Sequence, residues 1–235
     1  MGRAFEVRKV AMAKTAASKS KVYARYGKEI YMAAKSGTPD PEMNLNLKRL
    51  IEKAKKDQVP ADVIKRAIEK AKGGSDESYN EIRYEGFGPN NSLFIIDCLT
   101  DNVNRTIAEV RNCFTKTGGK IGVSGSVAHQ FEHASVFKTV STEDQIIELM
   151  IEKDVNVDDI EVENEHVIIY GKPSDFYLIK TVLTEANLPI DEEMLTWLPL
   201  ATVTMEETED NERFEKLMDM LNEIDDVQEI YHNVV

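Results

Sequence analysis

Residues 83–126 read RYEGFGPNNSLFIIDCLTDNVNRTIAEVRNCFTKTGGKIGVSGS, and the order of structural signals along them decides the fold. Residues 94–98, FIIDC, form a short apolar run behind the turn signal Gly88-Pro89-Asn90-Asn91, which predicts a strand buried on both faces. Asp101 or Asn102 can cap the helix that follows. In that helix Val103, Ile107, Val110 and Phe114 recur at helical spacing as one apolar stripe, with Arg105, Glu109, Asn112 and Lys116 on the opposite face. Gly118-Gly119 supplies a left-handed stop. A strand and a helix of this kind are a fragment of an α/β domain, so the remainder lies elsewhere in the chain.

Working outward, residues 136–140, 160–162, 167–170 and 194–198 read as strands, with helices over 142–153 and 174–186. That order, β-α-β-β-α-β, is one complete split-βαβ unit. The flanking segments make a second set: strand 93–99, helix 103–116 and strand 127–131 before it, then strand 201–205, helix 210–224 and strand 227–231 after it. One domain is therefore expected inside its twin, with short joins at 132–135 and 199–200.

Upstream the pattern is helical. Tyr23, Tyr26, Ile30, Ala33 and Ala34 share one side of a helix over about 20–36, and Lys21, Arg25, Lys28 and Lys35 share the other. Gly37 and Thr38-Pro39-Asp40-Pro41 end it. Leu47, Leu50, Ile51 and Ala54 repeat at helical spacing, Val59-Pro60 interrupts, and Ile64, Ala67, Ile68 and Ala71 resume before Gly73-Gly74. The expected fold class is α+β and multidomain: an N-terminal three-helix bundle followed by two split-βαβ, ferredoxin-like α/β domains, one inserted into the other. The expected boundaries are a flexible basic arm over 1–20, a helical domain over 21–76, a discontinuous α/β domain over 77–133 plus 200–235, and an inserted α/β domain over 134–199.

The formal net charge of −13 averages two unlike parts. Residues 1–74 hold 18 Lys and Arg against 8 Asp and Glu, a balance of +10, and the remainder stands at −23. A basic end attracts phosphate through counterion release while the acidic body is repelled, which predicts end-on binding of nucleic acid. The residues expected to carry it are Arg3, Arg8, Lys9, Lys14 and Lys19 of the arm and Lys21, Arg25, Lys28 and Lys35 of the first helix. Asn102 and Arg105 at a helix N-terminus, with Lys120, form a secondary candidate contact.

Other chemistry is poorly supported. Asp97 sits in an apolar strand, Asp101 serves best as a cap, and Glu109 is the i+4 neighbour of Arg105. His129, His133, His166 and His232 are scattered, so no metal is expected. Gly118, Gly119, Gly122 and Gly125 lack the Lys-Ser/Thr of a phosphate-binding loop and read as a helix stop and bulges. Cys98 and Cys113 read as reduced core residues of a cytoplasmic protein. No segment reaches the ~20 apolar residues of a membrane span, and the N-terminus lacks the apolar core of a secretory signal. The expectation is a non-enzymatic protein without cofactor or membrane association.

The segments YEGFGPNNS, LTDNVNRTIAEVR, FTKTGGKIGVSGSV, VPADVIKRAIEKAKGG and VQEIYHN resemble the YebC/PmpR family over essentially the whole chain. The opening MGRAF, with Phe5 in place of a Trp, departs from the commoner Gly-His-Ser-Lys-Trp start and resembles a less common sub-branch. The resemblance implies three domains, one helical and two α/β, and a DNA-binding transcriptional regulator. Mitochondrial relatives, translational activators of cytochrome c oxidase subunit I, imply the alternative of a ribosome-associated translation factor on ribosomal RNA. Expected partners are thus DNA or ribosomal RNA, with a homodimer and the ribosome as further candidates.

Overall fold

The computed structural model describes residues 19–73 and 78–235, so the expected arm lies outside the described residues, apart from the backbone at 19 and 20. The chain divides into two compact units. One runs to Val127 and resumes over Met205–His232; the other comprises Ala128–Thr204 with Asn233–Val235.

Three helices open the first unit: α1 (Lys19–Ser36), α2 (Leu45–Lys56) and α3 (Ala61–Lys72). Each starts and stops where local chemistry dictates. The Asn44 side chain accepts from the Leu47 N–H at 3.0 Å and caps α2, while its amide donates to the Ala33 carbonyl at 2.8 Å, tying the end of α1 to the start of α2. Pro60 precedes α3, where its missing N–H costs nothing. The apolar faces converge on Tyr26, Ile30, Leu47 and Ala54, all fully buried. Burial and a short hydrogen bond to the Asp57 carboxylate push the Tyr26 hydroxyl pKa up, so it remains a neutral donor within this core.

The sheet of this unit begins with a strand that the sequence reading did not assign. β1 (Asn80–Phe87) pairs antiparallel with β2 (Leu93–Thr100) across the turn at Pro89–Asn91. Asn90 and Asn91 take left-handed φ values of 50° and 55°, which asparagine tolerates better than most residues. Arg83 grips Asp97 across the strands at 2.6 and 2.8 Å, so the carboxylate in the apolar run is a cross-strand partner. Next come α4 (Val103–Lys116), capped by Asn102, and β3 (Lys120–Ile121), with Gly118 in the expected left-handed conformation at φ 80°. At Gly86 a Cβ would lie 2.5 Å from the Phe114 ring, so bare backbone in β1 is what lets α4 seat on the sheet.

The second unit contains β4 (Phe131–Val140), α5 (Glu143–Glu152), β5 (Asp159–Glu163), β6 (His166–Gly171), α6 (Phe176–Glu185) and β7 (Ile190–Pro199). Its strands order as β5-β6-β4-β7, every neighbour antiparallel, in the expected β-α-β-β-α-β sequence. Phe137, Ile146, Ile169, Ile179 and Leu183 form the core beneath the two helices. Two strand assignments require correction. Residues 127–131 do not make a strand of their own, since β4 begins at Phe131, which pairs with Pro199 at the end of β7. Residues 201–205 contribute only a single bridge, Val203 to Val234.

The chain then completes the first sheet with α7 (Thr208–Glu223) and β8 (Val227–His232), giving the order β3-β1-β2-β8. β1 and β3 therefore stand in place of the two strands expected at 127–131 and 201–205. The result is mixed α and β, with N-terminal helices and two four-stranded antiparallel sheets. β2 is buried on both faces as predicted, with Phe94, Ile95 and Ile96 fully covered.

Candidate nucleic-acid interface

The cations of α1 do not form an open stripe. Lys21 Nζ donates to the Asn222 carbonyl at 2.8 Å, and Arg25 Nη1 donates to the Gln228 carbonyl at 3.0 Å with Glu229 Oε1 at 3.7 Å. Lys28 Nζ donates to Asp226 Oδ1 at 3.0 Å and to the Asp225 carbonyl at 3.1 Å. All three are partly buried against the corner between α7 and β8, so the stripe expected to contact phosphate is engaged within the chain along this part of α1. Lys35 lies exposed at the far end of the helix, its ammonium 3.1 Å from the Tyr31 hydroxyl. Arg3, Arg8, Lys9 and Lys14 lie outside the described residues, as does the side chain of Lys19.

Asp226 is the hub of that corner. Its Oδ2 accepts from Arg105 Nη2 at 2.7 Å, from Thr106 Oγ1 at 2.9 Å and from Thr100 Oγ1 at 3.0 Å, while Oδ1 takes Lys28. Burial alone would raise its pKa; the bonds from Arg105, Lys28 and Thr106 outweigh that and hold it at about 2. Nearby, burial pushes the Glu29 carboxyl up, against the opposing pull of Lys53 and Arg25.

The secondary candidates also have structural roles. Asn102 Oδ1 accepts from the Arg105 N–H at 3.1 Å as the cap of α4, and Arg105 bridges Asp101 and Asp226. Lys120 sits over the Phe87 ring on β3, at the sheet edge opposite β8, so the three residues do not converge. The glycine-rich loop after β3 is likewise occupied from within. Buried Glu85 accepts from the Gly125 N–H at 2.6 Å and the Val127 N–H at 2.5 Å, filling with its own carboxylate the donors an outside anion would use. Glu85→Gln replaces one acceptor by a donor facing a buried N–H. It should cost about 2 kcal/mol in chemical denaturation and speed amide exchange at Gly125 and Val127. Burial raises the Cys113 thiol and pushes Cys98 up to about 12, so both stay protonated at neutral pH.

A more promising surface was missed in the sequence reading. Tyr23, Gly27 and Tyr31 recur every fourth residue along α1 and face Val63, Ala67 and Lys70 of α3, with Tyr79 closing one end. They enclose a groove of about 440 Å³ rimmed by Lys28, Arg66 and Lys70, and among the described residues no carboxylate lines it. Tyr79 packs edge-on against Tyr31 with centroids 6.0 Å apart, and Lys70 Nζ lies 5.6 Å over the Tyr31 ring. The signal available in advance was the Tyr-x3-Gly-x3-Tyr spacing, in which glycine opens space between two rings on one helix face.

Sequence comparison places this architecture. A model of the TACO1/YebC protein N-terminal domain matches residues 3–74, and one of the TACO1/YebC second and third domain matches residues 79–234. The chain belongs to the TACO1/YebC family. A family relative from Acholeplasma laidlawii, named a probable transcriptional regulatory protein, is 57% identical over 235 residues, covering 100% of this chain and 98% of that protein. One from Alteromonas mediterranea with the same description is 56% identical over 238 residues, covering 100% and 99%. The crystal structure of a conserved hypothetical protein from Aquifex aeolicus superposes with a TM-score of 0.77 at 36% identity, covering 95% of this chain and 93% of that one. In this TACO1/YebC chain no helix among the described residues is long and apolar enough to cross a membrane.

Proposed function

We propose that this chain is a non-enzymatic regulator of gene expression that binds nucleic acid through its basic N-terminal part, acting as a DNA-binding transcriptional regulator. The observation that carries this reading is the charge partition, +10 over residues 1–74 against −23 over the rest. With Lys21, Arg25 and Lys28 engaged internally, the phosphate contacts fall to Arg3, Arg8, Lys9, Lys14 and Lys19 and to the exposed lysines of α2 and α3, including Lys53, Lys55, Lys56, Lys65 and Lys72. The description of the relatives as transcriptional regulatory proteins favours DNA as the target and a cytoplasmic site of action. The tyrosine-lined groove favours a second reading, contact with ribosomal RNA, because unpaired bases rather than duplex stack on aromatic side chains.

Removal of residues 1–20 should weaken binding to a 30-base-pair DNA duplex. It should also lower the slope of log affinity against log salt by up to about 4.5, as the phosphate contacts of its five Lys and Arg residues are lost. An unchanged slope would exclude the arm as the electrostatic contact. Salt-sensitive co-migration with ribosomal subunits on a sucrose gradient selects the translational reading. A free protein that retards one promoter fragment selects transcription.

A further inference from the structure

We propose that the groove between α1 and α3 binds an unpaired nucleotide, with the base inserted between Tyr23 and Tyr79 and the phosphate held by Arg66 and Lys70. The inference rests on the nucleic-acid reading above and goes further by stating which part of the polymer the groove takes. Its composition is the first argument. In a protein of net charge −13, three tyrosines and three cations meet around one concavity, with no lining carboxylate among the described residues. Such a surface suits a ligand with both a flat π face and an anion. At about 440 Å³ the groove lies within the ~300–1,000 Å³ range of sites that enclose a small aromatic ligand.

The rings and cations are graded by depth. Tyr31 is 2% exposed and forms the floor, whereas Tyr23 and Tyr79 are only partly buried and make the walls. Lys28 is anchored by Asp226 and lies 5.7 Å over the Tyr79 ring at the inner end. Arg66 pairs with Asp62 along α3, but both side chains are more than 70% exposed. Such a surface pair contributes little, so a phosphate can displace the carboxylate at small cost. Lys70 Nζ lies 5.6 Å over the Tyr31 ring and lines the same groove, a cation beside an aromatic surface. A duplex cannot use this site, since its bases are stacked inside and only its backbone would meet the rim. A single strand, loop or splayed end can.

The test is fluorescence polarisation with a labelled 12-nucleotide single strand, prepared as RNA and as DNA, and with a duplex of the same sequence. Tyr23→Leu keeps the apolar wall but removes the ring. It should weaken single-strand binding about tenfold while leaving duplex binding within about twofold. Arg66→Gln and Lys70→Gln should each lower the single-strand salt slope by about 0.7. A preference for one of the two single strands then identifies the sugar. Tyr79→Leu also disturbs the Tyr31 contact, so photo-crosslinking of 4-thiouridine RNA to the unaltered protein provides an independent readout, expected on the peptides carrying Tyr23 or Tyr79. Single-strand binding that Tyr23→Leu leaves unchanged, with crosslinks elsewhere, overturns the groove and leaves the nucleic-acid reading standing. Absence of binding to every probe overturns both.

Discussion

Asp226→Ala should lower the stability of the unit it anchors by about 3 kcal/mol, because it leaves Lys28 and Arg105 facing a corner without its carboxylate. For a protein of this size that corresponds to a fall in Tm of roughly 6–12 °C. Thr100 and Thr106 are fully buried but retain a mutual bond at 2.8 Å, so the loss falls mainly on the charged groups. Amide exchange along α1 should rise in the variant, since Lys28 is one of three side chains holding that helix to the corner. Asp226→Asn, which preserves shape and one acceptor, should cost about half as much.

The same residue predicts a pH dependence. The folded pKa of about 2 lies below the ordinary value of 3.8, so the unfolded chain binds the proton more readily. The stabilisation is fully present above pH ~4 and is lost as pH falls through the folded value, a change of about 2 kcal/mol. Acid titration of unfolding should show this loss between about pH 4 and 2 in the unaltered protein, with a correspondingly flatter profile in Asp226→Asn.

Phe94→Ala should be the most damaging core change, costing about 4 kcal/mol. The ring is fully buried, stands edge-on to Phe114 at 5.6 Å, and lies 5.8 Å from Phe214 and 6.0 Å from His232. It thus joins β2 to α4, α7 and β8. In urea the midpoint should fall with the slope unchanged, and Phe94→Leu should recover more than half of the loss. A loss below 1 kcal/mol for the alanine variant would show that the site collapses around the cavity.

Much of this fold was legible in local chemistry. The strand at FIIDC, a cap at Asp101 or Asn102, the stripe ending at Phe114, the left-handed Gly118 and the β-α-β-β-α-β order after Phe131 all express short-range signals: apolar period, cap and turn residues. β1 was not legible because NEIRYEGF alternates charge and aromatic residues without an apolar run; its strand character rests on cross-strand partners such as Asp97 and on Phe114 packing over Gly86. The expected strands at 127–131 and 201–205 failed for the converse reason. Phe131 instead opens β4, Val203 makes only one bridge to Val234, and β1 and β3 supply the strands of the first sheet.

The candidate site divides in the same way. The amino-acid sequence by itself determined that the positive charge gathers in the first 74 residues and that α1 has one apolar and one cationic side, because both follow from composition and helical period. Only the tertiary structure decided which of those charges face outward. Lys21, Arg25 and Lys28 meet Asn222, Gln228 and Asp226, partners some 200 positions away that no local pattern can announce. The Tyr23, Tyr31 and Tyr79 groove exists only because α1, α3 and the segment before β1 are brought side by side. Charge is a property of residues, but its availability depends on which opposite charge lies within a few ångströms, and that distance is set by the fold.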